Sequence, residues 1–136
     1  MKLNPYLNFG GTCREAFQVY EKLLGGKITA LHTFGEAPAD MPMPPDWRDK
    51  VMHAALTFGD NVLMASDAPP GRHEKMQGVS VSLNVDTPEE AERIWKGLEQ
   101  GSQIIMPLQQ TFFAQRFGMM TDRFGTPWMI NCANKS

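Results

Sequence analysis

Leu7-Asn8-Phe9, a Gly10-Gly11 turn, and Thr12-Cys13-Arg14-Glu15-Ala16 running on to Tyr20, Leu23 and Gly26 return in the second half of the chain. There they read Leu83-Asn84-Val85, a turn, and Thr87-Pro88-Glu89-Glu90-Ala91 running on to Trp95, Leu98 and Gly101. Each copy has the pattern of a strand, a capped helix and further strands, and a repeat of roughly half the chain length predicts two equivalent modules. A cleft between such modules is where a small ligand is expected.

Working outward from the first copy, Leu3 to Phe9 alternates as a strand, with Pro5 demanding an edge or a strand start because it has no backbone donor. Thr12 and Glu15 have the spacing of a capping box, and Ala16, Phe17, Tyr20, Leu23 and Leu24 make one apolar helical stripe that Gly25 and Gly26 end. Lys27 to Phe34 and Val51 to Phe58 read as strands, and Gly59-Asp60-Asn61 as a hairpin into Val62 to Ser66. Between them, Glu36 to Lys50 carries Pro38, Pro42, Pro44 and Pro45, too dense for regular structure, and is expected to be a long loop.

In the second copy Gly78 to Val85 is the strand, and Thr87, Pro88 and Glu90 open a helix whose buried face is Ala91, Ile94, Trp95 and Leu98. Strands are expected at Gln103 to Pro107, Arg116 to Thr121 and Pro127 to Ala133, with Arg123-Phe124-Gly125-Thr126 as the last hairpin turn. Met64 and Met129 then fall at matching places. The expected organisation is a single α+β domain over 1–136, with βαβββ modules at about 1–68 and 78–136 and a connection at about 69–77.

With 42% hydrophobic residues in 136, the chain can bury a core without disulfides or metal staples. A net charge of -2, with Lys and Arg scattered, argues against a nucleic-acid partner. No apolar run approaches the roughly 20 residues that span a bilayer, and the N-terminus lacks the apolar core of a signal peptide, so a cytoplasmic protein that binds no membrane is expected. Cys13 and Cys132 form no metal or disulfide pattern and are read as reduced thiols.

Several segments together carry a family resemblance. They are Asn4-Pro5-Tyr6-Leu7-Asn8-Phe9, Phe17 to Gly26, His53-Ala54-Ala55-Leu56 with Met64-Ala65-Ser66-Asp67, Gln110 to Gly118, and Thr121-Asp122-Arg123-Phe124-Gly125-Thr126-Pro127-Trp128-Met129-Ile130-Asn131. Across nearly its whole length the chain resembles the PhnB-like (YjdN-like) branch of the vicinal oxygen chelate superfamily, which includes glyoxalase I, fosfomycin-resistance proteins, bleomycin-binding proteins and extradiol dioxygenases. The resemblance implies paired βαβββ modules whose sheets curl around a cleft, in a homodimer. Relatives are sometimes labelled ubiquinone methyltransferases, but nothing in this chain resembles a glycine-rich loop after a first strand.

Enzymes of the superfamily hold a divalent cation with His and Glu on the first and last strands of each module. Here those strands offer Asn4 to Asn8, Met64 to Ser66, Ser80 to Asn84, and Met129 to Asn131, with no His or Glu among them. Neutral amides and hydroxyls do not supply the charge a catalytic cation needs, so no cofactor is expected, a divalent metal remaining the alternative. His53 is read either as a pocket residue or as a core histidine bonded to a carbonyl; His32 and His73 are read as solvated surface residues.

The ligand-binding groups expected in the cleft are Tyr6, His53, Ser66, Ser82, Phe112, Phe113, Trp128 and Asn131, and no catalytic residue is assigned. A strand slip by one residue would turn any of them outward. The family resemblance implies that Phe112, Phe113 and Phe117 form a pocket wall, with burial in the general core as the other reading; Met41, Met43 and Trp47 in the long loop read as a lid or as a partner contact. Cys13, at a helix start, invites comparison with a nucleophile, but no base lies near it in sequence and a plain thiol is preferred. Asp122 and Arg123 are read as stabilising a turn rather than orienting a substrate. Three functions stay open: a metal-independent binder of a small aromatic or amphipathic molecule, a metal-dependent lyase, isomerase or dioxygenase, and a structural dimer with a vestigial cleft.

Overall fold

The computed structural model describes residues 1–38 and 43–135. The backbone divides into two compact units, Met1–Lys75 and Met76–Ser136, and the expected connection at 69–77 straddles the division.

In the first unit the elements are β1 (Tyr6–Phe9), α1 (Cys13–Leu24), β2 (Lys27–Thr33), β3 (Val51–Phe58) and β4 (Asn61–Asp67). They form one sheet in the order β1-β4-β3-β2, with β1 parallel to β4 and the other neighbours antiparallel. The second unit repeats this with β5 (Val81–Val85), α2 (Pro88–Glu99), β6 (Gln103–Gln109), β7 (Ala114–Thr121) and β8 (Pro127–Ala133), in the order β5-β8-β7-β6, again with only the first pair parallel. The repeat expected from the sequence is therefore a repeat of topology: two βαβββ modules in an α+β fold.

One face of each sheet is closed by its helix. In the first unit Leu7, Phe9, Leu56, Leu63 and Ala65 are buried with Ala16, Phe17 and Tyr20 of α1, and the Phe9 and Phe17 rings meet edge to face, with centroids 6.4 Å apart. In the second, Ala91, Ile94, Trp95 and Leu98 of α2 are buried with Met120, Trp128, Ile130 and Cys132.

The two helix starts differ from each other. Thr87 Oγ1 accepts the Glu90 N–H at 3.1 Å, as a cap should, while the Glu90 carboxylate pairs with Arg93. The capping box expected at Thr12 does not form: Thr12 has φ −111° and ψ 12°, and its side chain makes no cap bond. The buried carboxylate of Asp67 takes over, with Oδ1 accepting the N–H groups of Gly11 and Cys13 at 2.9 and 3.0 Å and Oδ2 accepting that of Val51 at 2.9 Å. A carboxylate from the neighbouring strand outcompetes a local hydroxyl because charge-assisted bonds are the stronger ones.

The first strand is shorter than Leu3 to Phe9: Leu3 is exposed, and Pro5 contributes only its carbonyl, which accepts the Met64 N–H at 3.1 Å. The long loop is not wholly irregular, since 3₁₀ turns occupy Phe34–Glu36 and Pro45–Trp47. Trp47 is buried in its own unit, with Lys50 Nζ 5.9 Å from its ring centroid, so its apolar surface is already covered there. Met41 lies outside the described residues.

Candidate functional site

The face of each sheet turned away from its helix carries two rows of side chains in register. Strand alternation places residues two apart on the same face, and neighbours across strands share a face. In the first unit one row is Ala30, Ala55, Met64 and Tyr6; two residues on along the same strands, His32 pairs with His53 and Asn8 with Ser66. In the second unit the corresponding rows are Met106, Met119, Met129 and Ser82, then Gln109, Phe117, Asn131 and Asn84. Met64 and Met129 match, as the sequence suggested; His53 and Phe117 occupy the same place in the two modules.

Of the expected site residues, Tyr6, His53 and Ser66 fall together on the open face of the first sheet. Tyr6 Oη and His53 Nδ1 lie 3.4 Å apart, so His53 is bonded to a side chain on the solvent side rather than to a carbonyl in the core. His32, its neighbour across β2, pairs with Glu36 at 3.3 Å. The backbone N–H of Thr33, then His32, hold the exposed Glu36 carboxyl below the usual carboxylate range.

Ser82 and Asn131 fall together on the open face of the second sheet, where Asn131 Nδ2 donates to Asn84 Oδ1 at 3.1 Å. Phe112 and Phe113 are not core: they are 95% and 46% exposed, and Phe113 meets Phe112 and Phe117 edge to face, at 5.2 and 5.1 Å between centroids.

Trp128 departs from the expectation. It is 1% exposed, on the helix side, and donates from Nε1 to Asp122 Oδ2 at 2.8 Å. Trp128 and Asn131 stand three apart on one strand, an odd offset that puts them on opposite faces, so one strand phase cannot serve both. The same alternation could have found Asn8 and Asn84, two residues on from Tyr6 and Ser82, which sequence reasoning left out.

Asp122 stabilises the last turn: its Oδ1 accepts the N–H groups of Phe124 and Thr126, both at 2.9 Å. Cys13 is buried, and its thiol is pushed up to about 12, first by burial and then by the Asp67 carboxylate. A thiol so held is protonated at neutral pH, the opposite of an activated nucleophile.

The open-face donors are amides, hydroxyls, thioethers and the imidazoles of His32 and His53. Among the described residues, no three His, Cys, Asp or Glu side chains come together as a metal centre would require. Among them also, no helix is long and apolar enough to cross a membrane.

Comparison with known proteins agrees with this architecture. A family model described as the Glyoxalase/Bleomycin resistance protein/Dioxygenase superfamily matches residues 2–130. Protein YjdN of Escherichia coli K12 is 34% identical over 139 residues, covering 96% of this chain and 95% of its own. Protein PA1353 of Pseudomonas aeruginosa is 49% identical, with a TM-score of 0.88 over 99% of both chains. A PhnB protein from Bacillus cereus, to which a 3-demethylubiquinone-9 3-methyltransferase activity has been ascribed, has the same fold at 24% identity, with a TM-score of 0.82 over 98% of this chain and 100% of its own.

Proposed function

This chain is a PhnB/YjdN-like member of the Glyoxalase/Bleomycin resistance protein/Dioxygenase superfamily, and on that premise we propose that it binds a small aromatic or amphipathic molecule without a metal ion. One observation carries the reading: the open faces combine thioethers and aromatic rings with uncharged hydrogen-bonding groups, at positions where the superfamily's enzymes need imidazole and carboxylate ligands. Met106, Met119, Met129 and Phe117 offer polarizable apolar surface, and Tyr6, His53, Ser66, Ser82 and Asn131 offer the polar contacts that orient a ligand.

A small, hydrogen-bonding face without a charge cluster suits a neutral guest, because neutral donors discriminate by geometry while leaving no buried charge to compensate. Tyr6 and His53 act as one polar unit in this reading, the imidazole holding the phenol in place. A homodimer belongs to the same proposal, with Ile104 and Ile105, 45% and 60% exposed on the edge strand β6, as apolar surface available to a second copy.

The test is elemental analysis of protein purified without added metal, followed by thermal shifts with Zn, Ni, Mn and Fe and with a panel of aromatic metabolites. The proposal expects substoichiometric metal, no cation-induced stabilisation, and a rise in unfolding temperature with at least one aromatic compound, since a native-state ligand stabilises by mass action. Stoichiometric metal that is lost in His53→Ala would replace it with a metal-dependent enzyme.

A further inference from the structure

We propose that the second module recognises a planar ring through a neighbouring donor and acceptor, the edge of a lactam, imide or carboxamide. The inference rests on the reading that the protein binds a small aromatic or amphipathic molecule, and it specifies which kind.

Gln109, Phe117, Asn131 and Asn84 lie in one row across β6, β7, β8 and β5. Asn131 Nδ2 donates to Asn84 Oδ1 at 3.1 Å, at an exposed position. That single bond leaves Asn131 Oδ1 as an acceptor and the Asn84 amide N–H groups as donors. Exchanging nitrogen and oxygen in both amides reverses which residue donates, yet still presents one donor beside one acceptor. Phe117 is the register neighbour of Asn131 on one side and is joined to Phe113 at 5.1 Å, so an apolar ring surface adjoins the amide pair.

The chemistry of the guest follows from complementarity. A lactam offers an N–H to Asn131 and a carbonyl to Asn84 while its ring lies against Phe117. A carboxylate offers two acceptors, would oppose Asn131 Oδ1, and finds no cation in either row of this face. At the matching positions the first module has His53 in place of Phe117 and Ser66 in place of Asn131, so of these two sets the paired amides beside a phenyl ring belong to the second module alone.

Calorimetric titration of the full chain with 2-quinolone, N-methyl-2-quinolone and quinoline-2-carboxylate tests this. The expected result is that 2-quinolone binds roughly tenfold more tightly than the other two, and that Asn131→Ala removes the preference. Asn84→Ala is the second variant should the first lose its thermal transition. Equal binding of 2-quinolone and its N-methyl derivative to the unaltered protein, tighter binding of the carboxylate, or a preference that survives both variants would overturn the proposal while leaving aromatic binding intact. Failure of all three probes overturns it too; only failure of the whole aromatic panel overturns the broader reading with it.

Discussion

Trp128 Nε1–H donates to Asp122 Oδ2 at 2.8 Å inside the second unit, tying its largest fully buried side chain to the turn that precedes β8. The other oxygen of Asp122 holds the N–H groups of Phe124 and Thr126. Asp122→Ala therefore removes the acceptor of three hydrogen bonds at once and is expected to cost about 3 kcal/mol. Trp128→Phe removes one of these bonds and costs less, about 1–2 kcal/mol. Urea unfolding followed by tryptophan fluorescence and circular dichroism measures both; a loss under 1 kcal/mol for Asp122→Ala would show that the turn closes without it.

Cys13 and Asp67 give the protein an alkaline weakness. The folded thiol is held at about 12 against an unperturbed 9.0, so between those values the unfolded chain has released a proton that the native state retains. Fewer protons bound in the unfolded state means stability falls as pH rises, by about 1.4 kcal/mol per pH unit across that window for one such group. Below pH 9 the contribution is fully present. Cys13→Ala should flatten the decline between pH 9 and 12 in unfolding experiments run at a series of pH values. Asp67→Asn removes the charge that helps raise the thiol, so it should narrow the window from its upper end, besides weakening the bonds to Gly11, Cys13 and Val51.

Much of this architecture was legible in the residues. Period-3.6 stripes identified both helices, β3 and β8 follow their apolar patterns to the residue, and the repeat predicted the shared topology. Two features were not legible. The Asp67 cap depends on a carboxylate 54 residues from the N–H of Cys13 that it receives, and local spacing pointed instead to Thr12. The face of Trp128 depended on strand phase, which aromatic character does not reveal; its hydrogen bond to Asp122 decides it. The shared face of Tyr6 with Asn8, Ser66 with Met64, Ser82 with Asn84, and Asn131 with Met129 was legible because each pair stands two residues apart on its own strand.

Gly118 makes a further case of long-range constraint. A Cβ there would lie 2.7 Å from Trp95 Cζ3 and 2.9 Å from Leu108 Cα. Trp95 cannot easily give way, because its Nε1 donates to Glu99 Oε2 at 3.0 Å. Gly118→Ala should cost about 3 kcal/mol, roughly 10 °C in unfolding temperature for a chain of this size. Gly25→Ala is the informative contrast: at φ +69° with nothing within 4 Å, it should cost only the left-handed backbone penalty of about 1–2 kcal/mol. Equal losses at the two sites would mean that steric contact at Gly118 is not what excludes a side chain.

Tyr6 and His53 separate binding from folding. Tyr6 is 52% exposed and sits on the open face, away from α1, so Tyr6→Phe removes a hydroxyl without opening a cavity. Its folding stability should change by no more than about 0.5 kcal/mol. If the phenol and imidazole orient a ligand together, the affinity for whichever aromatic compound scores in the thermal screen should fall several-fold in Tyr6→Phe, and His53→Ala should add little to that loss in the double variant. Such non-additivity is the signature of two side chains acting through one shared bond. Losses that simply add would mean that each residue meets the ligand independently, and that the 3.4 Å contact between them has no part in binding.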